Sequence, residues 1–478
     1  MPGVPITSER NSDASVAYLP DLIYTGGRFE EGPALVCNEG GGIVRLARGG
    51  KVSCRVVRMK NRAMLPGMVN AHSHAFQRVI RGRTERRTGG QDSFWTWREM
   101  MYSAATRLSP EDIYDASRTA FLEMALGGIT AVGEFHYIHN APGGEPYEDP
   151  NLMAKEVVRA ARDVGLRIAL LRVAYARPGH ATESNPKQAR FIEKDAGIYV
   201  RNLVRLSEDL ERAGDSQAWA GVALHSVRAL PPEYLREAAR FLADEGSRFP
   251  VHMHVAEQPA EVSACLEEYG QTPVFALDAL GLLNERFTAI HAIHITDEEA
   301  RKLARASSHV CVCPTTERNL GDGVFSHAEA FLDDRRLALG TDSQAQVDLL
   351  EDARELELHM RLRTMGRAVL APQHDDHASA LARRLFDCAT LGGASSIQSA
   401  GGELAPGRPA DFFTVALDDP SIAGASAEDL LAAIVFSLER TAVREVFVGG
   451  RAIVEDGKHR AQEEIVGRFA ALQKRLWG

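Results

Sequence analysis

The sequence predicts an α/β protein built on a (β/α)8 barrel, with one β-rich segment before the barrel and another after it. The chain has 478 residues, which is enough for one large domain and an accessory domain. From about Pro66 to Ser395, short apolar stretches alternate with longer amphipathic ones, a pattern typical of successive βα units. On both sides of this region, short apolar stretches are separated by glycine-rich turns.

The first β-rich segment lies between Asp21 and Met64, where pairs such as Gly26-Gly27 and Gly49-Gly50 separate the apolar stretches. This pattern predicts strands joined by tight turns. Met1–Pro20 has no apolar core behind a basic head, so we interpret it as a polar arm and not as a signal peptide.

The barrel region contains eight candidate strands, each followed by a loop and a helix. They end near His72, Glu134, Tyr175, His225, His254, His291, Cys313 and Asp342. In a barrel of this kind the chemistry gathers at the C-terminal ends of the strands. Most of these ends carry a polar residue that could bind a ligand, so the sequence predicts a site there.

The second β-rich segment includes Ala410–Leu417 and a hairpin in Val443–Gly457 that turns at Gly449-Gly450. Beyond it, apolar residues recur at helical spacing and predict an amphipathic C-terminal helix: Ile465, Phe469, Leu472 and Leu476. We divide the chain into an N-terminal β segment (1–66), the barrel (67–398), a C-terminal β segment (399–457) and the helix (458–478).

The amino-acid composition argues against some classes of binding partner. Lys and Arg number 55 against 65 Asp and Glu, a formal net charge of −10, which argues against binding to nucleic acid or to an anionic membrane. The longest apolar stretches fall short of the roughly 20 residues that a membrane span needs. Six scattered cysteines favour reduced, mostly buried thiols. We therefore expect a cytoplasmic protein that does not bind a membrane.

The strongest local signal is His72-Ser73-His74 at the end of the first barrel strand. Residues two apart on a strand point the same way, so both imidazoles can reach one metal ion. Taken alone, this pattern is weak evidence for a metal site, because two histidines that are hydrogen-bonded or on the surface would give the same sequence.

Further candidate ligands stand at the ends of later strands. They are His252 and His254 on the fifth, His291 on the sixth and Asp342 after the eighth. A single buried His is more often a satisfied core residue, and an Asp after a strand is more often a helix N-cap. Four such coincidences at one barrel mouth favour an active site. Alternation alone does not choose between His252 and His254.

This order of motifs resembles the amidohydrolase superfamily over nearly the whole chain. The resemblance implies a β-sandwich built from the N- and C-terminal segments, which the chain re-enters near Gly402–Asp411. Mononuclear deaminases of the superfamily place the ligand His three residues before a catalytic Glu, which His254 and Glu257 fit. Binuclear members bridge their metals with a fourth-strand lysine, and Ala220–Ser226 contains none. The superfamily also suggests a homodimer.

The resemblance thus implies one metal ion held by His72, His74, His254 and Asp342. Three imidazoles and a carboxylate around an open position suit Zn²⁺, with Fe²⁺ or Mn²⁺ as alternatives. The implied catalytic residues are Asp342, which accepts a proton from the attacking water, Glu257, which carries a proton to the departing nitrogen, and His291, which stabilises the intermediate. This is chemistry for hydrolysing a C=N bond.

Two arginines, Arg98 and Arg228, follow the first and fourth barrel strands. At the mouth of a barrel they suggest an anionic substrate, because the guanidinium fork matches a carboxylate. The alternative is that each arginine pairs with a local Asp or Glu.

Within the superfamily the sequence resembles the formimidoylglutamate deiminases. The matching motifs are HSHAFQR at 72–78, FWTWR at 94–98, EFHY at 134–137, HVAEQ at 254–258 and CPTTERNLGDG at 313–323. The resemblance implies a dicarboxylate substrate, N-formimino-L-glutamate of histidine degradation, held by Gln77, Arg98, Tyr137, His225 and Arg228. Two residues depart from the family pattern: Leu224, where a proline is usual, and Gln344, where a histidine is usual.

Two other functions fit parts of the sequence. A purine or pterin deaminase of the same superfamily would need contacts to a flat ring and would not need two arginines. A non-catalytic barrel scaffold would have no need for both Glu257 and His291. Metal content together with ammonia release discriminates among the three.

Overall fold

The structure is a computed structural model that describes residues 14–48, 52–85, 94–183, 185–244, 248–331, 335–372, 375 and 377–478. Strands β1–β5 are Ala14–Thr25, Arg28–Glu31, Ala34–Asn38, Ile43–Ala47 and Arg55–Pro66. Strands β6–β13 are Met68–Ser73, Ile129–His136, Arg167–Ala174, Ala218–Leu224, Val251–Val255, Phe287–His291, His309–Val312 and Leu337–Leu339. Strands β14–β17 are Phe412–Ala416, Val443–Val448, Arg451–Glu455 and Lys458–His459.

The helices lie mostly between the strands of the barrel. Helices α1–α7 are Phe94–Ala105, Pro110–Leu126, Leu152–Val164, Ala196–Arg212, Pro232–Asp244, Pro259–Tyr269 and Pro273–Ala279. Helices α8–α14 are Asp297–Arg305, Pro314–Leu320, Leu349–Thr364, Ala380–Asp387, Gly393–Ser396, Leu430–Ser437 and Gln462–Trp477. Among the described helices, none is long and apolar enough to cross a membrane.

Strands β6 to β13 form a parallel barrel in chain order, each strand hydrogen-bonded to the next. A parallel bridge between Ser73 and Asp342 joins the first strand to the residues after the last. The strands are almost wholly buried, as expected when side chains fill the inside and helices cover the outside. The predicted (β/α)8 barrel and its eight strand ends are confirmed.

A nine-stranded mixed sheet unites the two β-rich segments. Strand β5 pairs in parallel with β1 on one side and antiparallel with β14 on the other, so the accessory sheet combines strands from the N-terminal and C-terminal segments, as predicted. The predicted hairpin is β15–β16, turning at Gly449 and Gly450, both of which have positive φ. A Cβ on Gly41 would lie 1.9 Å from the Gly449 carbonyl oxygen, so only glycine permits this approach of the two segments.

The prediction of a polar arm is wrong for residues 14–20, which lie in strand β1. Strand β1 begins at Ala14 and pairs with β3 and β5, with Ala17 and Tyr18 buried. A register shift near Pro20, which has no N–H to donate to a ladder, interrupts the pairing with β5. Residues 1–13 of the predicted arm lie outside the described residues.

A short segment closes the end of the barrel opposite the strand C-termini. It comprises the π-helical turn Cys388–Gly392 and α12. Trp219 donates its indole N–H to the Ile397 carbonyl at 2.9 Å, and His252 donates its Nε2–H to the Ser396 carbonyl at 2.9 Å. Access to the barrel interior is therefore from the other end.

Helix α14 buries the four apolar residues that predicted it. It packs on α2, where Arg118 pairs with Glu464 at 2.6 Å. The Arg78 guanidinium lies 5.0 Å from the Phe469 ring, so the C-terminal helix also supports the turn that follows β6.

Candidate active site

Four side chains converge at the C-terminal ends of the barrel strands. Their ligand atoms all lie within 4.8 Å of one another, and the four residues are His72, His74, His254 and Asp342. Asp342 Oδ1 is 3.5 Å from His72 Nε2 and 3.3 Å from His74 Nε2. The structure thus brings together the predicted metal ligands, whereas His252 points into the closed end of the barrel.

Backbone carbonyls orient two of the imidazoles. His74 donates Nδ1–H to the Phe135 carbonyl at 2.9 Å, and His254 donates Nδ1–H to the His225 carbonyl at 3.0 Å. Each ring therefore presents the lone pair of Nε2 to the cluster, the orientation that such hydrogen bonds give to histidines that bind metals. His72 is fully buried, and neither of its ring nitrogens has a hydrogen-bond partner among the described residues. Such an unpaired buried imidazole fits a metal ligand.

The charge state of the cluster also suits a divalent cation. Burial lowers the pKa of His72 to about 3 and lowers the pKa of His74 and His254, so the imidazoles are neutral near pH 7. Burial opposes ionisation of Asp342, but the neighbouring His72, His291 and His74 hold its pKa below the usual range. Neutral imidazoles and an ionised carboxylate are the protonation states that metal binding requires.

The predicted catalytic residues lie beside this cluster. His291 Nε2 is 3.6 Å from Asp342 Oδ2 and 3.7 Å from Glu257 Oε1. Burial raises the pKa of Glu257, and the negative charge of Asp342 adds to this although His291 opposes it. A glutamate with a raised pKa can hold and release a proton near neutral pH.

Glu317 is a functional candidate that the sequence analysis missed. Its Oε1 lies 3.1 Å from His291 Nδ1 and accepts the backbone N–H of Cys313 at 2.9 Å. Both His291 and Glu317 are buried. Glu317 belongs to the CPTTERNLGDG motif, so the signal was present, but it stands on α9 and not at a strand end.

A pocket opens directly above the cluster. The predicted substrate residues Gln77, Arg98, Tyr137, His225 and Arg228 all line it, together with Glu257, Asp342 and several aromatic residues. Gln77 donates Nε2–H to the Tyr137 hydroxyl at 2.8 Å, while its Oε1 has no partner among the described residues. The Tyr137 ring is 5.2 Å from His74 and the His225 ring is 5.0 Å from His254, so these residues lie near the ligand histidines.

The two arginines of the pocket form no ion pair with any described residue. Arg228 donates Nη1–H to the Pro178 carbonyl at 2.8 Å. Arg98 lies over the Trp95 ring at 4.3 Å, and its Nε has no hydrogen-bond partner within the described ranges. Burial lowers the pKa of Arg98, and the charge of Arg228, which lines the same pocket, lowers it further. The alternative pairing with local acids is not observed.

Helix α1, which carries Arg98, is held at its C-terminal end by a buried arginine. Arg190 donates Nη1–H to the carbonyls of Ala105 and Leu108 at 2.6 and 2.7 Å. This contact fixes the helix over the barrel mouth.

Both residues that depart from the family pattern are buried. Gln344 is buried and donates Nε2–H to Ser73 Oγ at 2.9 Å and to the Asp342 carbonyl at 3.0 Å, while its Oε1 accepts from Thr341. Ser73 in turn donates to Glu134 at 2.6 Å. Leu224 is fully buried at the end of β9. Gln344 therefore supports the segment between the ligand residues.

Three residues of the site have a left-handed backbone conformation. His291, Asp342 and Gln344 have φ values of 69°, 44° and 60°, in the left-handed region that non-glycine residues rarely adopt. Such strain is a common feature of functional sites.

Comparison with known proteins agrees with this site. The model of the amidohydrolase family matches residues 63–453. A formimidoylglutamate deiminase of Pseudomonas aeruginosa is 38% identical over 86% of this chain and 88% of its own. An 8-oxoguanine deaminase of the same species is 30% identical over 92% of this chain and 93% of its own. The crystal structure of an amidohydrolase from Brucella melitensis is 33% identical, with a TM-score of 0.87 over 97% of this chain and 100% of that one.

These matches confirm the resemblance to the formimidoylglutamate deiminases and the prediction of a hydrolase. The chain belongs to the amidohydrolase family.

Proposed function

We propose that the protein is a mononuclear metal-dependent deiminase that converts N-formimino-L-glutamate and water to N-formyl-L-glutamate and ammonia, in histidine degradation. The observation that carries this proposal is the presence of two arginines, neither of which forms an ion pair with a described residue, in a pocket above a His3Asp cluster. A purine has no carboxylate to neutralise them. The 38% identity to a formimidoylglutamate deiminase supports the same assignment.

His72, His74, His254 and Asp342 are the proposed ligands of one divalent ion, with Zn²⁺ first and Fe²⁺ or Mn²⁺ as alternatives. When bound, such an ion lowers the pKa of a coordinated water towards ~7 and so supplies a nucleophile at neutral pH.

Three residues move protons or stabilise charge around the attacked carbon. Asp342 accepts a proton as the water oxygen forms a bond to the formimino carbon and the π electrons of C=N move to nitrogen. His291, between Asp342 and Glu257, stabilises the tetrahedral intermediate. Glu257 delivers one proton to the terminal nitrogen, and the proton taken up by Asp342 supplies the second. The carbon–nitrogen bond then breaks, ammonia leaves, and the formyl C=O forms as the hydroxyl proton returns to Glu257.

The pocket offers a different environment to each substrate carboxylate. In the substrate the α-carboxylate is close to the reacting group and the distal one is further away. Gln77, Tyr137 and His225 lie beside the ligand histidines, so we assign them to the α-carboxylate. The adjacent charges of Arg98 and Arg228 are then neutralised together by the distal carboxylate. On this assignment both arginines bind the distal carboxylate.

The test is to incubate zinc-loaded protein with N-formimino-L-glutamate and, separately, with a panel of purines, and to identify products by mass spectrometry and ammonia assay. The proposal requires N-formyl-L-glutamate and ammonia. Formamide with free glutamate would mean that the other bond is cleaved. Faster turnover of a purine would assign the protein to the ring deaminases, and no turnover of any compound by the zinc-loaded protein would favour a scaffold.

A further inference from the structure

Two tyrosines of the pocket are linked by a glutamine that does not itself line the pocket. Tyr102 lies on α1, Tyr175 directly follows β8, and Gln188 ends the 3-10 turn Pro186–Gln188. All three side chains are buried. Gln188 Nε2 donates to the Tyr175 hydroxyl oxygen at 2.6 Å and to the Tyr102 hydroxyl oxygen at 2.9 Å.

The hydrogen-bonding capacity of the phenols determines where their protons point. A phenol oxygen accepts up to two hydrogen bonds and donates one. The Tyr175 oxygen accepts from Gln188 and, at 3.4 Å, from Arg228 Nη1, so its own hydrogen must point elsewhere. The two phenol oxygens are 3.5 Å apart, and only one of them can donate to the other. At least one O–H is therefore left without an acceptor among the described residues.

The remaining direction is the pocket, which both tyrosines line next to Arg98 and Arg228. Burial alone would raise the pKa of Tyr175, but the positive charges of Arg228 and Arg98 lower it, which makes this O–H a stronger donor. This end of the pocket thus presents two cations and at least one free hydroxyl donor. A carboxylate, which only accepts and has about four acceptor positions, matches this set. A carboxamide, which also donates, does not.

We propose that Tyr102 and Tyr175 are specificity-determining residues that donate hydrogen bonds to the distal substrate carboxylate, and that Gln188 is the positioning residue that directs both hydroxyl groups towards it. The proposal rests on the proposed function, because it takes the substrate to be N-formimino-L-glutamate. It adds a reason why the site selects an ionised carboxylate and not merely a polar group of that size.

The experiment compares N-formimino-L-glutamate with N-formimino-L-glutamine, in which the distal carboxylate is an amide. For Tyr175→Phe we expect kcat/KM for the acid to fall about tenfold or more, mainly through KM, because a hydrogen bond to a charged group is lost. The value for the amide should change much less, so the acid-to-amide ratio falls. Gln188→Met should lower the same ratio, and Tyr102→Phe provides a second direct test if the first variant does not fold.

A matched control is Tyr234→Phe, since the buried Tyr234 hydroxyl on α5 has no partner among the described residues and does not line the pocket. This variant should keep the wild-type ratio. Calorimetric binding of the products N-formyl-L-glutamate and N-formyl-L-glutamine gives the same comparison without turnover. Equal losses for acid and amide in the tyrosine variants would overturn the inference and leave the proposed function intact. Failure of the wild-type protein to turn over N-formimino-L-glutamate would instead overturn the proposed function.

Discussion

His291 is faced by three carboxylates from segments that follow three different barrel strands. Glu317 contacts Nδ1, whereas Glu257 and Asp342 face Nε2. Burial opposes protonation of this imidazole, but the charges of Glu257, Asp342 and Glu317 raise its pKa well above the usual value. The ring is therefore held in one orientation, with Nε2 towards the reacting atoms.

Glu257→Gln tests the proton carrier. The amide keeps the shape of the side chain but cannot deliver a proton, so we expect turnover to fall by about 10²- to 10⁴-fold. Metal content, measured by elemental analysis, should be unchanged because Glu257 is not a proposed ligand. Near wild-type turnover would transfer the role of proton carrier to His291.

Glu317→Gln tests the residue that orients His291. Loss of the charge behind the imidazole should lower kcat by roughly 10- to 100-fold, the usual effect of removing such a supporting carboxylate. KM should change little, because Glu317 does not line the pocket. Glu355→Gln is a suitable control, since Glu355 pairs with Arg318 at 2.7 Å outside the site. A rise in KM with kcat unchanged would contradict this role.

At the scale of single residues the sequence predicted strand ends better than it predicted supporting contacts. His72, His74 and Asp342 follow strands, and the barrel geometry places such residues at one mouth. Glu317 and Gln188 stand in a helix and a turn, so their contacts with His291 and Tyr175 depend on long-range packing that no local pattern records. Whether Arg98 and Arg228 pair with acids likewise depends on three-dimensional neighbours.

Strand β10 shows why the alternation of side chains along a strand could not identify which of its two histidines belongs to the cluster. His252 and His254 point to the same face, but they are separated by about 6.6 Å along the strand. Only His254 reaches the cluster, while His252 forms a hydrogen bond with the segment that closes the barrel. Periodicity identifies the face of a strand but not the depth inside the barrel.

His252 makes the stability of the closed end of the barrel sensitive to acid. Burial lowers the pKa of His252 to about 4, whereas the unfolded chain titrates near 6.5. As the pH falls, the unfolded state binds the proton first. The stability contributed by the neutral imidazole is therefore fully present above about pH 6.5 and is lost between pH 6.5 and 4, by at most about 3 kcal/mol.

His252→Gln should reduce this pH dependence, because glutamine can still donate to the Ser396 carbonyl but does not titrate. Urea unfolding of chelator-treated protein at pH 8 and pH 5 measures the difference for each variant. An unchanged pH dependence in the variant would show that His252 does not contribute to the acid sensitivity.

Strand β1 is the element that the sequence described least well. Polar residues, Pro20 and Asp21 interrupt its apolar pattern, and the strand is stabilised by pairing with β3 and β5, which a local pattern does not show. The C-terminal helix was predicted correctly because its apolar residues recur regularly along one face.

For the whole molecule, metal analysis tests the proposed mononuclear centre. We expect about one divalent ion per chain, and its removal by a chelator should abolish activity and lower the thermal midpoint, because a ligand that binds only the folded state stabilises it. Two ions per chain, or full activity without any, would refute the proposal.

A pair of variants assigns the ligand on β10. His254→Ala should lose the metal, whereas His252→Gln should retain it. The homodimer stays a prediction, which sedimentation of the metal-loaded protein would test.

The bridge between Ser73 and Asp342 has a consequence for biosynthesis. The first ligands are made about 270 residues before the last one, so at roughly 5–20 residues per second the ribosome needs some tens of seconds to complete the set. Until Asp342 emerges from the exit tunnel, His72 and His74 have neither their carboxylate partner nor a closed barrel around them. We therefore expect the proposed metal to bind only after Asp342 has been synthesised and has left the tunnel. Nascent chains stalled before Asp342 should bind zinc far more weakly than released protein.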